Sequence, residues 1–139
     1  MSERITVEAL VDRERGDVWK LWNEPRHITN WNFASDDWCC PRAENDLRAG
    51  GRLCNRMEAK DGSFGFDFEA IYDEVLHEAK VAYTMTDGRK AETTFEDQYD
   101  KTRVTTIFDP EGENPAEMQR MGWQAILNNF KKYAESIEP

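Results

Sequence analysis

Positive charge is what this chain most lacks. It carries 18 Lys and Arg against 28 Asp and Glu, a formal net charge of −10. Its basic residues cluster no further than Lys131-Lys132 and Arg13-Glu14-Arg15. A nucleic-acid binder needs a basic face to displace counterions, so that class is excluded as a partner, and an anionic membrane surface is disfavoured for the same reason. The acidity reads as solubility. Cysteine is sparse: Cys39, Cys40 and Cys54 are an odd number with two adjacent, which does not suit a disulfide framework. No further Cys or His stands at zinc-like spacing, so no metal is expected and the thiols read as buried and inert. The two histidines, His27 and His77, are far apart, and neither neighbours a Ser or Cys in a nucleophile motif. There is no long apolar run, at the N-terminus or elsewhere, so neither a signal peptide nor membrane insertion is expected, and the cytoplasm is the default location. A phosphate loop and a dinucleotide fingerprint are missing too, and no cofactor is expected.

Aromatic residues, by contrast, are plentiful, with five Trp and seven Phe among 139 residues. The length suits one domain spanning residues 1–139. Along it a period of two dominates. Ile5, Val7, Ala9 and Val11 alternate with Thr6, Glu8 and Leu10 and predict a first strand. Asp12 is placed to cap a short helix through Val18, Leu21 and Trp22, and Pro25 suits the first turn of another leading to Trp31. A polar, irregular stretch follows, with a short strand expected over Trp38 to Arg42. Leu53, Asn55, Met57 and Ala59 then alternate, as do Phe66, Phe68, Ala70 and Tyr72, with Asp61-Gly62 as the hairpin turn between them. Val81, Tyr83 and Met85 lead through Asp87-Gly88 to Ala91, Thr93 and Phe95. Asp100-Lys101 is expected to close the last hairpin into Val104, Thr106 and Phe108. This is an antiparallel meander.

The period then changes. Asn114-Pro115-Ala116-Glu117 reads as a helix N-cap, a proline at the first helical position and an acidic third residue, opening a helix to about Ser136. Met118, Gly122, Trp123, Ile126, Phe130, Tyr133 and Ile137 share one face, and Arg120, Gln124, Asn128, Lys131 and Glu135 share the opposite one. Gln119 falls on the apolar side, and Gly122 there implies either close approach to the sheet or room for a guest. The fold class is α+β: a curved antiparallel sheet wrapped around a long C-terminal helix, with two short helices after the first strand and a gap beneath them.

Several segments together resemble a known family. They are Val18-Trp19 through Pro25, Ile28 and Trp31, then Asp46-Leu47-Arg48-Ala49-Gly50-Gly51-Arg52 and Met57-Glu58-Ala59. Asp61-Gly62, Tyr83, Phe95-Glu96, Gly122-Trp123, Leu127 and Tyr133 complete the pattern. Their order and spacing resemble the activator-of-Hsp90-ATPase-homologue-like domains of the START-like (SRPBCC) superfamily. The resemblance implies the helix-grip (START/Bet v 1-like) fold and a deep apolar cavity between sheet and helix. In that superfamily such cavities take lipids, hormones or polyketides, and some members catalyse cyclisation or aromatisation. The eukaryotic co-chaperone behind the name carries this domain as one of two.

The favoured function is therefore binding of a small apolar molecule in the cavity. Its expected contacts are Trp31, Phe33, Trp38, Asn55, Met57, Phe66, Phe68, Tyr72, Tyr83, Phe95, Gln119 and Trp123. Trp31 and Trp38 flank the irregular segment, a candidate lid. Asn55, Gln119, Thr93 and Thr106 are polar residues on inward positions, and each needs a partner if buried. Asn55 and Gln119 are the two expected to orient a polar group on the guest. No catalytic residue is assigned. An enzyme of the cyclase or hydrolase kind would require Tyr72, Tyr83 or an inward acid as its acid or base. A chaperone-type interaction domain is the third reading, and a homodimer is compatible with the sequence.

Overall fold

The alternating segments form seven strands in the computed structural model, which describes residues 4–137. In chain order the elements are β1 (Ile5–Val11), α1 (Arg15–Asn23), α2 (Pro25–Ile28), β2 (Trp38–Asn45), β3 (Arg52–Ala59), β4 (Gly65–Leu76), β5 (Lys80–Met85), β6 (Lys90–Gln98), β7 (Lys101–Phe108) and α3 (Ala116–Ser136). All strand pairs are antiparallel, in the order β1-β7-β6-β5-β4-β3-β2. The chain leaves β1 at one edge, crosses through α1 and α2 to the far edge, and meanders back until β7 pairs with β1. This is the expected α+β helix-grip arrangement.

Four local expectations shift. β2 runs on to Asn45, past a bulge between Cys39 and Arg42 that contains Pro41; a bulge and a proline both suit an edge strand. Asp12 does not cap α1. Its N–H is bonded to Glu135, the chain bends there with the Arg13 N–H donating to the Val11 carbonyl, and Glu14 takes the N-cap position. The last hairpin turns on Tyr99-Asp100, one residue early, because Gln98 pairs with Lys101 and Tyr99 adopts a φ of 65°. Likewise Pro115, not Asn114, is the N-cap of α3. The Asn114 carbonyl is taken by the Gln119 side chain, and the first helical carbonyl acceptor is that of Pro115.

The core lies where α1 and α3 meet the sheet. Leu127, Phe130 and Ala134 of α3 are buried together with Val11, Val18, Trp19, Phe95 and Val104. Each large side chain removed from water there contributes roughly 1.5–3 kcal/mol. Among the strands α3 packs chiefly on β1. Its polar row is not simply solvated. Gln124 Nε2 donates to the Glu8 carbonyl at 3.0 Å, Lys131 Nζ donates to the Leu10 carbonyl at 2.8 Å, and the Asp12 N–H donates to Glu135 Oε2 at 2.8 Å. These side chains satisfy backbone groups on the edge of β1 that β7 leaves unpaired, which protects a sheet edge from pairing with another chain.

One prediction follows from that seam. Partial burial opposes ionisation of Glu135, yet the Lys131 ammonium and the Asp12 N–H hold its carboxyl below the ordinary glutamate range. A lowered folded-state pKa contributes stability above the unfolded value of about 4.3, and that stability is lost as pH falls through the folded value. Glu135→Gln is therefore expected to be less stable than the parent at pH 7, with the gap closing as pH falls from the unfolded-state value of about 4.3 through the lower folded-state one. Urea unfolding of both proteins across that range checks it.

Candidate ligand cavity

Because α3 leans on β1, the inner face of β3, β4 and β5 is left without a helix directly upon it. A partly open cavity of about 420 Å³ occupies that space, within the range of small-molecule sites. It runs along α3, from the loop that opens the helix to the α1–α2 segment beside its second half. Gln119 marks the first end: its amide donates to the carbonyls of Glu111 and Asn114 and accepts from the Glu111 N–H. At the other end Trp22 and Trp31 lie 4.8 Å apart and both meet the edge of Phe130, while Asn129 Nδ2 donates to the Trp31 carbonyl at 2.8 Å. His27 ties α2 to the same helix through the Tyr133 hydroxyl, 2.7 Å from Nδ1. Burial and then the neighbouring Arg26 lower the pKa of this histidine, which favours the neutral ring.

Nine of the expected contacts line this space: Trp31, Asn55, Met57, Phe66, Phe68, Tyr72, Tyr83, Gln119 and Trp123. Strand parity accounts for most of them. Leu53, Asn55 and Met57 share the inner face of β3; Phe68 sits opposite Asn55, and Tyr72 opposite Tyr83. Gly50 and Gly51 set the level of Tyr72, exchanging backbone hydrogen bonds with it. A Cβ on Gly51 would stand 2.0 Å from the Asp46 carbonyl oxygen, so no other residue fits there.

Phe33, Trp38 and Phe95 do not line the cavity. Phe95 does face inward, but Trp19 and Trp22 cover it at 5.3 and 5.9 Å and make it core. Phe33 is half-buried against the core in the turn after α2. Trp38 joins Phe64 and Phe66 in an aromatic group with centroids 5.9–6.1 Å apart. Phe66, 42% exposed, is therefore a rim residue. Met118 on α3 is exposed, and no heavy atom lies within 4 Å of a Cβ built on Gly122, so that glycine marks no close approach. Also outside the expected contacts, Trp22 lines the cavity from α1, and Asn23, Asn32, Asn45, Arg89 and Glu111 reach it from turns and element ends. The only available signal for them was the polar irregularity of those segments.

The polar groups divide into satisfied and unsatisfied. Thr93 and Thr106 bond each other, Oγ1 to Oγ1, at 2.7 Å. The Tyr72 hydroxyl donates to Asn45 Oδ1 at 2.7 Å, and Asn45 Nδ2 donates to the Asn23 carbonyl at 2.7 Å. Arg89, the one basic side chain among the lining residues, donates from Nε to Asp87 at 2.7 Å. Glu111, the one acidic one, accepts the Asn114 N–H. Asn55 differs. The residue is 6% exposed, and its Oδ1 is buried without any hydrogen-bond partner. Burial pushes the Tyr72 and Tyr83 phenols above their ordinary range, for Tyr83 with Tyr72 beside it acting in the same direction. Both stay protonated at neutral pH and are poor proton acceptors. Burial also pushes the Cys40 thiol up to about 11, which leaves it unreactive.

The family model described as "Activator of Hsp90 ATPase homolog 1-like protein" matches residues 12–135. Among solved structures, the chain is similar to an activator-of-Hsp90-ATPase-like protein from Aeromonas hydrophila, at 40% identity and a TM-score of 0.91, over 96% of this chain and 93% of that one. A protein from Cytophaga hutchinsonii is 50% identical with a TM-score of 0.83, over 95% and 92% of the two chains. A protein from Chromobacterium violaceum shares the fold, with a TM-score of 0.86 at 17% identity over 98% of this chain and all of the other. No curated protein matches. Among the described residues, no helix is long and apolar enough to cross a membrane.

Proposed function

Since the chain belongs to the activator of Hsp90 ATPase homologue 1-like family, we propose that it is a binding domain whose cavity takes a small, mostly apolar molecule between β3–β5 and α3. The observation that carries this reading is Asn55, a residue that lines the cavity and whose buried amide oxygen has nothing to accept from. Folded proteins rarely keep such a group in the absence of a use for it, because an unmade hydrogen bond costs about 1–3 kcal/mol. The aromatic walls supply the apolar contact, and a volume of about 420 Å³ suits a small molecule.

Binding is favoured over catalysis by the chemistry of the walls. An acid–base enzyme needs a group that exchanges protons near neutral pH. Tyr72 and Tyr83 are shifted away from that range, and Glu111 and Arg89 are engaged at the loop end. The family's name speaks of an Hsp90 activator, while the hollow and its unpaired amide favour a small molecule.

The test is titration with N-phenyl-1-naphthylamine, a neutral fluorescent probe. Saturable binding is expected in the parent protein. Leu53→Trp, which places a larger ring on the β3 wall, is expected to weaken it more than about tenfold, a loss of ~1.4 kcal/mol, while far-ultraviolet circular dichroism stays unchanged. Failure of the parent to bind the probe, or indifference of binding to Leu53→Trp, overturns the proposal.

A further inference from the structure

The walls also say what chemistry the guest carries. Resting on the binding reading above, we infer that the ligand is uncharged and presents a neutral hydrogen-bond donor, such as an amide N–H, to Asn55, and that carboxylate-headed lipids are rejected. Three observations point this way. First, Asn55 is the inward polar side chain whose buried oxygen is left over after Thr93, Thr106, Tyr72 and Gln119 have found partners. A primary amide holds both a donor and an acceptor, so it complements a group of the same kind on the guest. Second, no cation among the described residues that line the cavity is free to meet an anion. Arg89 is the one basic residue on the wall, and its guanidinium already bonds Asp87 and the Asp109 carbonyl. A carboxylate buried beside Asn55 would lose its hydration without gaining a counter-charge. Third, Phe68 is the residue opposite Asn55, the phenols of Tyr72 and Tyr83 are held protonated, and Glu111, the one acidic lining residue, lies at the loop end where it accepts the Asn114 N–H, so no negative charge beside Asn55 selects a cation.

The rest of the guest faces rings. Phe68 stands opposite Asn55 across the β3–β4 pair, and the edge of Tyr83 meets Phe68 with centroids 6.0 Å apart. A flat body stacked on Phe68 with its polar group turned to β3 uses both features.

Three probes on one scaffold test this: 2-naphthamide, 2-naphthoate and 2-methylnaphthalene, titrated by quenching of tryptophan fluorescence at pH 7, since Trp22, Trp31 and Trp123 all line the cavity. The amide is expected to bind about tenfold more tightly than either of the others. In Asn55→Leu that preference is expected to vanish, with 2-methylnaphthalene bound at least as well as by the parent. Asn55→Ala, which leaves more space, should lose the preference in the same way. Naphthoate binding as tightly as naphthamide, or a preference for the amide that survives both substitutions, overturns the inference and leaves the apolar cavity standing. If none of the three binds, the binding reading falls with it.

Discussion

Phe130→Ala is expected to cost about 3–5 kcal/mol of folding stability, the range for removing a fully buried aromatic ring. Phe130 is completely buried on α3, and its ring edge meets both Trp22 and Trp31 at 4.8–4.9 Å. Both indoles are large, and Trp31 is hydrogen-bonded in place through Nε1 to the Leu21 carbonyl at 2.9 Å, so they cannot simply collapse into the space. For a chain of this length the loss corresponds to a fall in Tm of about 10–15 °C. Thermal and urea unfolding measure it. A cost under about 1 kcal/mol would mean that the knot of Trp22, Trp31 and Phe130 is not what joins α1 and α2 to α3. Because Trp22 and Trp31 also wall the cavity, the same variant should bind apolar probes less tightly, a second readout of the knot's place between core and site.

Asn55→Leu has the opposite expected sign. The parent carries a buried acceptor without a donor, and replacing it by a side chain of similar size removes a penalty of about 1–3 kcal/mol while adding apolar contact with Met57 and Phe68. Tm is expected to rise by about 3–10 °C. A residue whose removal stabilises the free protein is one retained for what it does, since a site kept ready for a ligand commonly costs stability. A drop in stability would show that the amide is engaged in the unliganded protein, and the observation behind the proposed function would be gone. Paired with the naphthalene series, the variant separates two effects. Stability should go up and discrimination down, a combination that general loosening of the fold cannot produce.

Most of the architecture was legible along the chain because it depends on local periodicity. The alternation from Leu53 to Met57 and from Phe68 to Tyr72 told which side chains face inward, and the structure keeps that parity on both strands. Errors of one or two residues fell at Asp12 and Asn114, where a side chain from elsewhere engaged the backbone group beside the expected cap, and at Asp100, where the Gln98–Lys101 pair closed the hairpin one residue early. The site was legible only in part. Phe95 has the same parity as Thr93 on β6, yet one is core and the other lines the hollow, because α1 covers the strand at Phe95 and stops short of Thr93. Gln119 and Asn55 looked alike as polar residues on apolar faces. The loop before α3 satisfies Gln119, and nothing satisfies Asn55.

By itself, then, the order of residues determined the strands, the hairpins, the long amphipathic helix and the sidedness of each, since a period of 2 or 3.6 is a property of neighbours. Only the tertiary structure decided where α3 rests. It rests on β1, with Gln124, Lys131 and Glu135 bonded along that strand's free edge, and this sideways seat leaves β3 to β5 bare and Asn55 without a partner. Such a choice depends on contacts between residues about 115–125 positions apart, and no window on the sequence spans that distance.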